Sequence, residues 1–167
     1  MAQVYISIGS NIEREQQIVF AVNSLLQEFA NVILSSVYEC APVGFIGDNF
    51  YNLVALVETD KSPKYIGELL KKLEKQHGRV DFSKKYSARK MDLDILLYDD
   101  LIIDEPVQVP RDEIPKNAYV LKPLAEIAAD LIHPVINKTY QQLWQEYDQS
   151  KQAIAKIEFQ WPANLEV

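Results

Sequence analysis

With 167 residues, 48% of them hydrophobic, the chain can bury one sizeable core but not two, so a single domain over 1–167 is expected. Its 17 basic residues against 24 acidic ones leave a net charge of −7, which argues against a surface that holds nucleic acid or anionic lipid by bulk charge. The lone cysteine, Cys40, excludes an intrachain disulfide and a cysteine-based zinc site.

Residues 3–9 (QVYISIG) alternate apolar and polar and predict a strand. GSN at 9–11 then turns the chain into an amphipathic helix over 12–30, with Ser10 or Asn11 as its cap. VILSSVYEC at 32–40 predicts a second strand and FYNLVALVET at 50–59 a third. The loop between them, APVGFIGDN, combines Pro42, Gly44 and Gly47 with apolar residues that look exposed. Ser62-Pro63 opens a second helix over 62–77, which Gly78 should end. A polar, basic connection at 79–90 leads into MDLDILLY, a fourth strand over 91–98. Beyond a turn at Asp99-Asp100 the pattern predicts a short pair, LII and VQV, around Pro106, then helices over 116–129, despite Pro123, and over 138–148. The tail IEFQWPANLEV reads as one further strand.

The order βαββαβ over 3–98 is that of a ferredoxin-like α+β unit, an antiparallel sheet with two helices on one face. C-terminal helices and short strands would be left to cover the other face. The opening residues have neither a basic leader nor a long apolar run, and nothing approaches the ~18 apolar residues of a membrane span. A cytoplasmic protein without a membrane partner is therefore expected.

On a strand, Asp92 and Asp94 project from one face about 7 Å apart along the backbone. Two carboxylates so placed repel one another, and a divalent cation answers that problem; hard oxygen ligands on a rigid element suit Mg2+. The plainer alternative is the solvent face of an edge strand. Position tilts the choice, because eight of the 17 basic residues (Lys71, Lys72, Lys75, Arg79, Lys84, Lys85, Arg89 and Lys90) lie between 71 and 90. Metal ligands beside concentrated positive charge suit phosphoryl or pyrophosphoryl transfer. Arg89, three residues ahead of Asp92, falls at the mouth of such a site. Ferredoxin-like sheets also serve as RNA platforms, but that use needs a basic sheet face, which this acidic chain does not offer.

KYSARKMDLDILL resembles the signature of the 6-hydroxymethyl-7,8-dihydropterin pyrophosphokinase family of folate biosynthesis. YISIGSN, SSVYECAPVG, FYN at 50–52, LEKQHGR at 73–79, VP at 109–110 and AYVLKPLAEIA at 118–128 extend the resemblance over about residues 4–134. It implies an ATP-dependent enzyme in which the pterin hydroxyl attacks the β-phosphorus of ATP, AMP leaves, and two Mg2+ ions sit on Asp92 and Asp94. Arg79, Arg89, Asp92 and Asp94 would be the catalytic residues, with Arg79 and Tyr86 on a closing loop. Phe50 and Tyr119 would sandwich the pterin and Asn52 would read its amide edge, with Tyr86 and backbone groups near Cys40, Ala41 and Val43 completing the pocket. Lys71, Glu74, Arg89, Ile95 and Arg111 would meet ATP, Glu74 orienting Arg79 or a neighbour. The expected partners are the two small substrates, and the expected state is a monomer.

Five positions depart from the family pattern. Asp81 stands where a second basic loop residue is common, Ser87 where a glycine is, Lys71 where a glutamine is, Arg111 where a histidine is, and Asn117 where an arginine is. The departures gather on the nucleotide side. They leave open a relative that keeps the pterin and metal positions but uses its nucleotide differently.

Overall fold

The structure is a computed structural model that describes residues 1–77, 91–165 and 167. The chain runs β1 (Ala2–Ser10), α1 (Arg14–Glu28), β2 (Val32–Leu34), β3 (Val37–Cys40), β4 (Phe50–Thr59), α2 (Pro63–His77), β5 (Asp92–Tyr98), α3 (Ala118–Ile127), α4 (Tyr140–Glu146) and β6 (Ile154–Ile157). One antiparallel sheet holds all six strands in the order β5-β1-β4-β3-β6, with β2 also on β4. Its first five strands reproduce the expected ferredoxin-like order, and β6 is added beside β3.

Both long helices follow from their apolar spacing. Ile18, Ala21, Val22 and Leu25 of α1, and Ile66, Leu70 and Leu73 of α2, are buried against Ile6, Ile8, Leu53, Ala55 and Leu93 on one face of the sheet. Each of the valine, leucine and isoleucine side chains contributes about 1.5–3 kcal/mol on full burial. Ser62 caps α2 by accepting the Tyr65 N–H at 3.2 Å, which places Pro63 at the first helical position.

The cap expected for α1 is not there. The helix starts from Glu13, which adopts a left-handed conformation (φ 50°) and makes no side-chain cap. Ser10 instead donates its hydroxyl to the Ile12 carbonyl, and the Asn11 amide donates to the Asp48 carbonyl, tying the 41–49 loop down. That loop does expose Val43 and Ile46, as its apolar residues suggested.

The predicted second strand is broken in two. Leu34 pairs with Ala55 and Tyr38 with Asn52, so four steps on one strand oppose three on the other. The extra residue lies at Ser35-Ser36, where the Ser35 hydroxyl accepts the Val54 N–H at 2.9 Å in place of a ladder carbonyl. A second bulge lies in β5: Tyr5 pairs with Leu97 and Ile6 with Ile95, leaving Leu96 as the inserted residue. The expected LII/VQV hairpin reduces to a single bridge, Ile103 with Val109. The predicted tail strand is also displaced to Ile154–Ile157, because Phe159 and Trp161 turn into the core instead. Phe159 meets the Tyr51 ring edge-on at 6.0 Å.

The opposite face of the sheet is half covered. Val120, Leu121 and Leu124 of α3, with Tyr140 and Leu143 of α4, bury Tyr5, Val54, Leu96 and Leu97. Tyr38 fixes α3 to β3 by donating its hydroxyl to Glu126 Oε1 at 2.5 Å, and Glu126 Oε2 accepts both the Ser36 N–H (2.8 Å) and its hydroxyl (3.1 Å). Partial burial works against the Glu126 carboxylate, but these donors and Lys156 outweigh it and hold its pKa below the ordinary value of 4.5. A depressed folded-state pKa gives stability that is present above the unfolded value and lost as pH falls through the folded one. Melting temperatures of the native chain and Glu126→Gln, measured from about pH 6 to pH 3, should therefore converge at the acid end. A gap that stays constant over that range would show that Glu126 is not what loses its grip. Among the described residues no helix is long and apolar enough to cross a membrane.

Candidate active site

Strand register assembles the candidate residues. Gly9 of β1 pairs with Asn52 of β4 on one side and with Asp92 of β5 on the other, and Ser7 pairs with Asp94 in the neighbouring row. Cys40 pairs with Phe50, and Tyr38 with Asn52. By the two-residue alternation of strands, Cys40, Phe50, Asn52, Gly9, Asp92 and Asp94 all face the α3 side. Two strand spacings separate the Asn52 and Asp92 backbones, about 10 Å, with a glycine between them.

That glycine, itself buried, lets the Asn52 side chain lie close against its backbone. A Cβ at position 9 would lie 2.6 Å from Asn52 Oδ1, well inside contact distance. Asn52 is 7% exposed and donates its amide to Cys40 Sγ at 3.0 Å. Burial pushes the Cys40 thiol up to about 12, with Asn52 opposing and Glu39 adding slightly, so the sulfur accepts as a neutral thiol. Phe50 meets Phe45 of the 41–49 loop edge-on at 6.1 Å, and Val43 is in the same loop. Tyr119, in the first turn of α3, is half-buried; its hydroxyl accepts from the Asn117 amide at 3.1 Å and its backbone N–H donates to Gln152 Oε1 at 3.2 Å.

A cleft of about 390 Å3 opens beside β5, and its lining includes Lys71, Glu74, Lys75, Asp94, Ile95 and Arg111. It brings together every expected nucleotide residue within the described part of the chain. Glu74 does something the sequence did not suggest: it is 6% exposed, and its Oε2 accepts the Leu93 N–H at 3.2 Å, occupying a backbone donor on the open edge of β5. Ile95 is 5% exposed, so its offer to the cleft is mainly backbone.

Arg111 closes the far side. Its N–H donates to the Leu96 carbonyl at the bulge (2.9 Å), its Nε to Glu113 Oε2 (2.9 Å), and its Nη1 lies 3.5 Å from Asp94 Oδ1. Burial disfavours the guanidinium charge, but Asp94, Glu113 and Asp92 together more than restore it and hold the group protonated. Gly9 and Glu113 are the two contributors that sequence reasoning missed. Gly9 was visible in YISIGSN, yet its use depends on a register that no local pattern reveals.

Arg79, Tyr86 and Arg89, with the departures at Asp81 and Ser87, lie outside the described residues. A larger hollow of about 700 Å3 near the start of α1 is lined by Asn11, Arg14, Glu39 and Asp48 and contains none of the expected site residues. Arg14 there is engaged by Glu39 (2.7 Å), the Asn49 carbonyl (2.9 Å) and the face of Tyr51 (3.8 Å).

Residues 5–129 match the family 7,8-dihydro-6-hydroxymethylpterin-pyrophosphokinase (HPPK). The 2-amino-4-hydroxy-6-hydroxymethyldihydropteridine pyrophosphokinase of Aquifex aeolicus is 35% identical over 83% of this chain and 88% of its own length. That of Haemophilus influenzae is 33% identical over 80% and 86%. The folic acid synthesis protein fol1 of Pneumocystis carinii is 38% identical over 79% of this chain, which spans 18% of it. Among solved structures, the wild-type HPPK-DHPS of Plasmodium falciparum with SDX-DHP superposes with a TM-score of 0.68 at 15% identity, over 90% of this chain and 44% of that one. At that identity the likeness concerns the fold.

Proposed function

The chain belongs to the 7,8-dihydro-6-hydroxymethylpterin-pyrophosphokinase family, and from that premise we propose how its residues divide the transfer of pyrophosphate from ATP to the hydroxymethyl oxygen of 6-hydroxymethyl-7,8-dihydropterin. The chain is a diphosphotransferase of folate biosynthesis. The substrate hydroxyl attacks the β-phosphorus, the bond from that phosphorus to the α–β bridging oxygen breaks, AMP departs with that oxygen, and the hydroxyl proton is released.

Phe50 and Tyr119 offer rings for the two faces of a flat heteroaromatic, and Asn52 offers a donor and an acceptor to its amide edge. The cleft beside β5 takes the nucleotide: Lys71 and Arg111 supply charge for the phosphates, and the backbone of Ile95 supplies edge groups. Arg79, Arg89 and Tyr86 complete the reading as phosphate-binding and closing-loop residues. Closure of such a loop excludes water, and hydrolysis of ATP is the competing reaction.

Asp92 and Asp94 form a donor set of hard oxygens on a rigid strand, which fits Mg2+. When bound there, Mg2+ ions, two in this reading, neutralise charge on the phosphate oxygens. The chain is taken to work as a cytoplasmic monomer of one domain.

The observation that carries this reading is the row Asn52–Gly9–Asp92. That row has on one face the amide proposed to read the pterin and a carboxylate proposed to hold the metal, with a glycine between them, and so supports the reading. Incubation with 6-hydroxymethyl-7,8-dihydropterin, ATP and Mg2+ should yield AMP and the pterin diphosphate in equal amounts. ADP as product, or no turnover at micromolar enzyme, would overturn it.

A further inference from the structure

We propose that Arg111 is a built-in counter-ion of the Asp92–Asp94 pair: it resists a divalent cation arriving alone and gives up the carboxylates once a polyphosphate offers its guanidinium a better partner. This rests on the reading of Asp92 and Asp94 as the Mg2+ ligands.

Three contacts carry it. The inserted Leu96 turns its carbonyl to the Arg111 N–H, so the backbone of residue 111 is fixed to the strand that carries both aspartates. Glu113 then accepts from Nε at 2.9 Å and aims the rest of the fork at Asp94. Nη1 stops 3.5 Å from Asp94 Oδ1, within ion-pair range but beyond a good hydrogen bond. The attraction is therefore mainly Coulombic and exchangeable, whereas the Glu113 bond is committed.

An incoming divalent ion has to displace this charge or bind against it. A polyphosphate changes the balance, because the same cleft presents Lys71 and Lys75 beside Arg111 and would draw the guanidinium toward its oxygens. Side-chain exposures of 30% for Arg111 and 27% for Asp94 let solvent screen the pair, so the effect is moderate. A neutral side chain at 111 would exert none of it, and an arginine cannot shed its charge at any working pH.

The test titrates nucleotide-free native chain, Arg111→Gln and Asp94→Asn with Mn2+, followed by electron paramagnetic resonance, and repeats each with a non-hydrolysable ATP analogue. Circular dichroism confirms folding of each variant. Arg111→Gln should bind Mn2+ alone between about threefold and tenfold more tightly than the native chain, and bind the analogue with metal more weakly. Those opposite shifts separate a counter-ion from a merely structural arginine, whose loss would weaken both. Mn2+ affinity that is unchanged or lower in Arg111→Gln overturns the proposal while leaving the metal site intact. If the native chain binds no Mn2+ even with the analogue, or Asp94→Asn does not alter that binding, the metal-site reading itself falls and takes the proposal with it.

Discussion

Asp94→Ala should lower the rate of AMP release at least about 1,000-fold and leave the chain folded. The size of the loss follows from what the side chain faces. Asp94 shares a strand face with Asp92, lines the cleft proposed for the nucleotide, and belongs to the pair of carboxylates that register sets beside Gly9 and Ser7. A metal-dependent phosphoryl transfer that loses a metal-binding carboxylate loses charge neutralisation in the transition state. Stability should hardly move. The pair with Arg111 is partly exposed and contributes about 0–1 kcal/mol, and Arg111 retains Glu113. Removing one of two mutually repelling carboxylates offsets even that. The measurements are single-turnover AMP release and thermal unfolding followed by far-ultraviolet circular dichroism. An Asp94→Ala protein that kept a tenth of native turnover would remove Asp94 from the chemistry, and one that failed to fold would make it structural.

Gly9→Ala should raise the dissociation constant of the pterin at least about 30-fold while that of the ATP analogue changes less than about threefold. The added methyl would lie 2.6 Å from Asn52 Oδ1, and something must shift. Asn52 has little room to move, being buried and bonded to Cys40, so the amide proposed to read the pterin turns out of position. The cleft proposed for the nucleotide is lined by α2, β5 and residues 107–111, and residue 9 is not among its lining residues. Separate calorimetric titrations with each ligand distinguish the cases. Equal weakening of both would mean that the sheet itself had buckled, and no weakening of pterin binding would place the pterin elsewhere.

Most of the frame could be read from local pattern because it depends on local pattern. The alternation of QVYISIG, the apolar run of MDLDILLY and the buried stripes of α1 and α2 are local patterns that mark strands and helices. What escaped was decided by contacts across the sheet. The bulges at Ser35 and Leu96 show no mark in sequence, since each is an agreement between two strands about which residue goes unpaired. The tail misled for a related reason: Phe159 and Trp161 look like strand residues, but Tyr51 and the helix-side core recruited them as packing. At the site, the carboxylate pair and the aromatic and amide residues could be found through the family resemblance. Glu113 could not, because its role appears only when a guanidinium is already held beside it. The bond from the Leu93 N–H to Glu74 could not be read either, since a backbone N–H on a strand edge carries no sequence signal.

The inserted Leu96 also divides the site into parts that can change independently. The register of β5 on either side of it is continuous with β1, so Asp92 and Asp94 are placed by the strand itself, whatever follows the bulge. The segment bearing Arg111 is held separately, by that extra carbonyl, by the Ile103–Val109 bridge and by the burial of Val109 and Ile114. The residue proposed to meet the nucleotide can therefore be exchanged without disturbing the geometry proposed to read the pterin. One inserted peptide unit uncouples the segment of Arg111 from the register of the two aspartates.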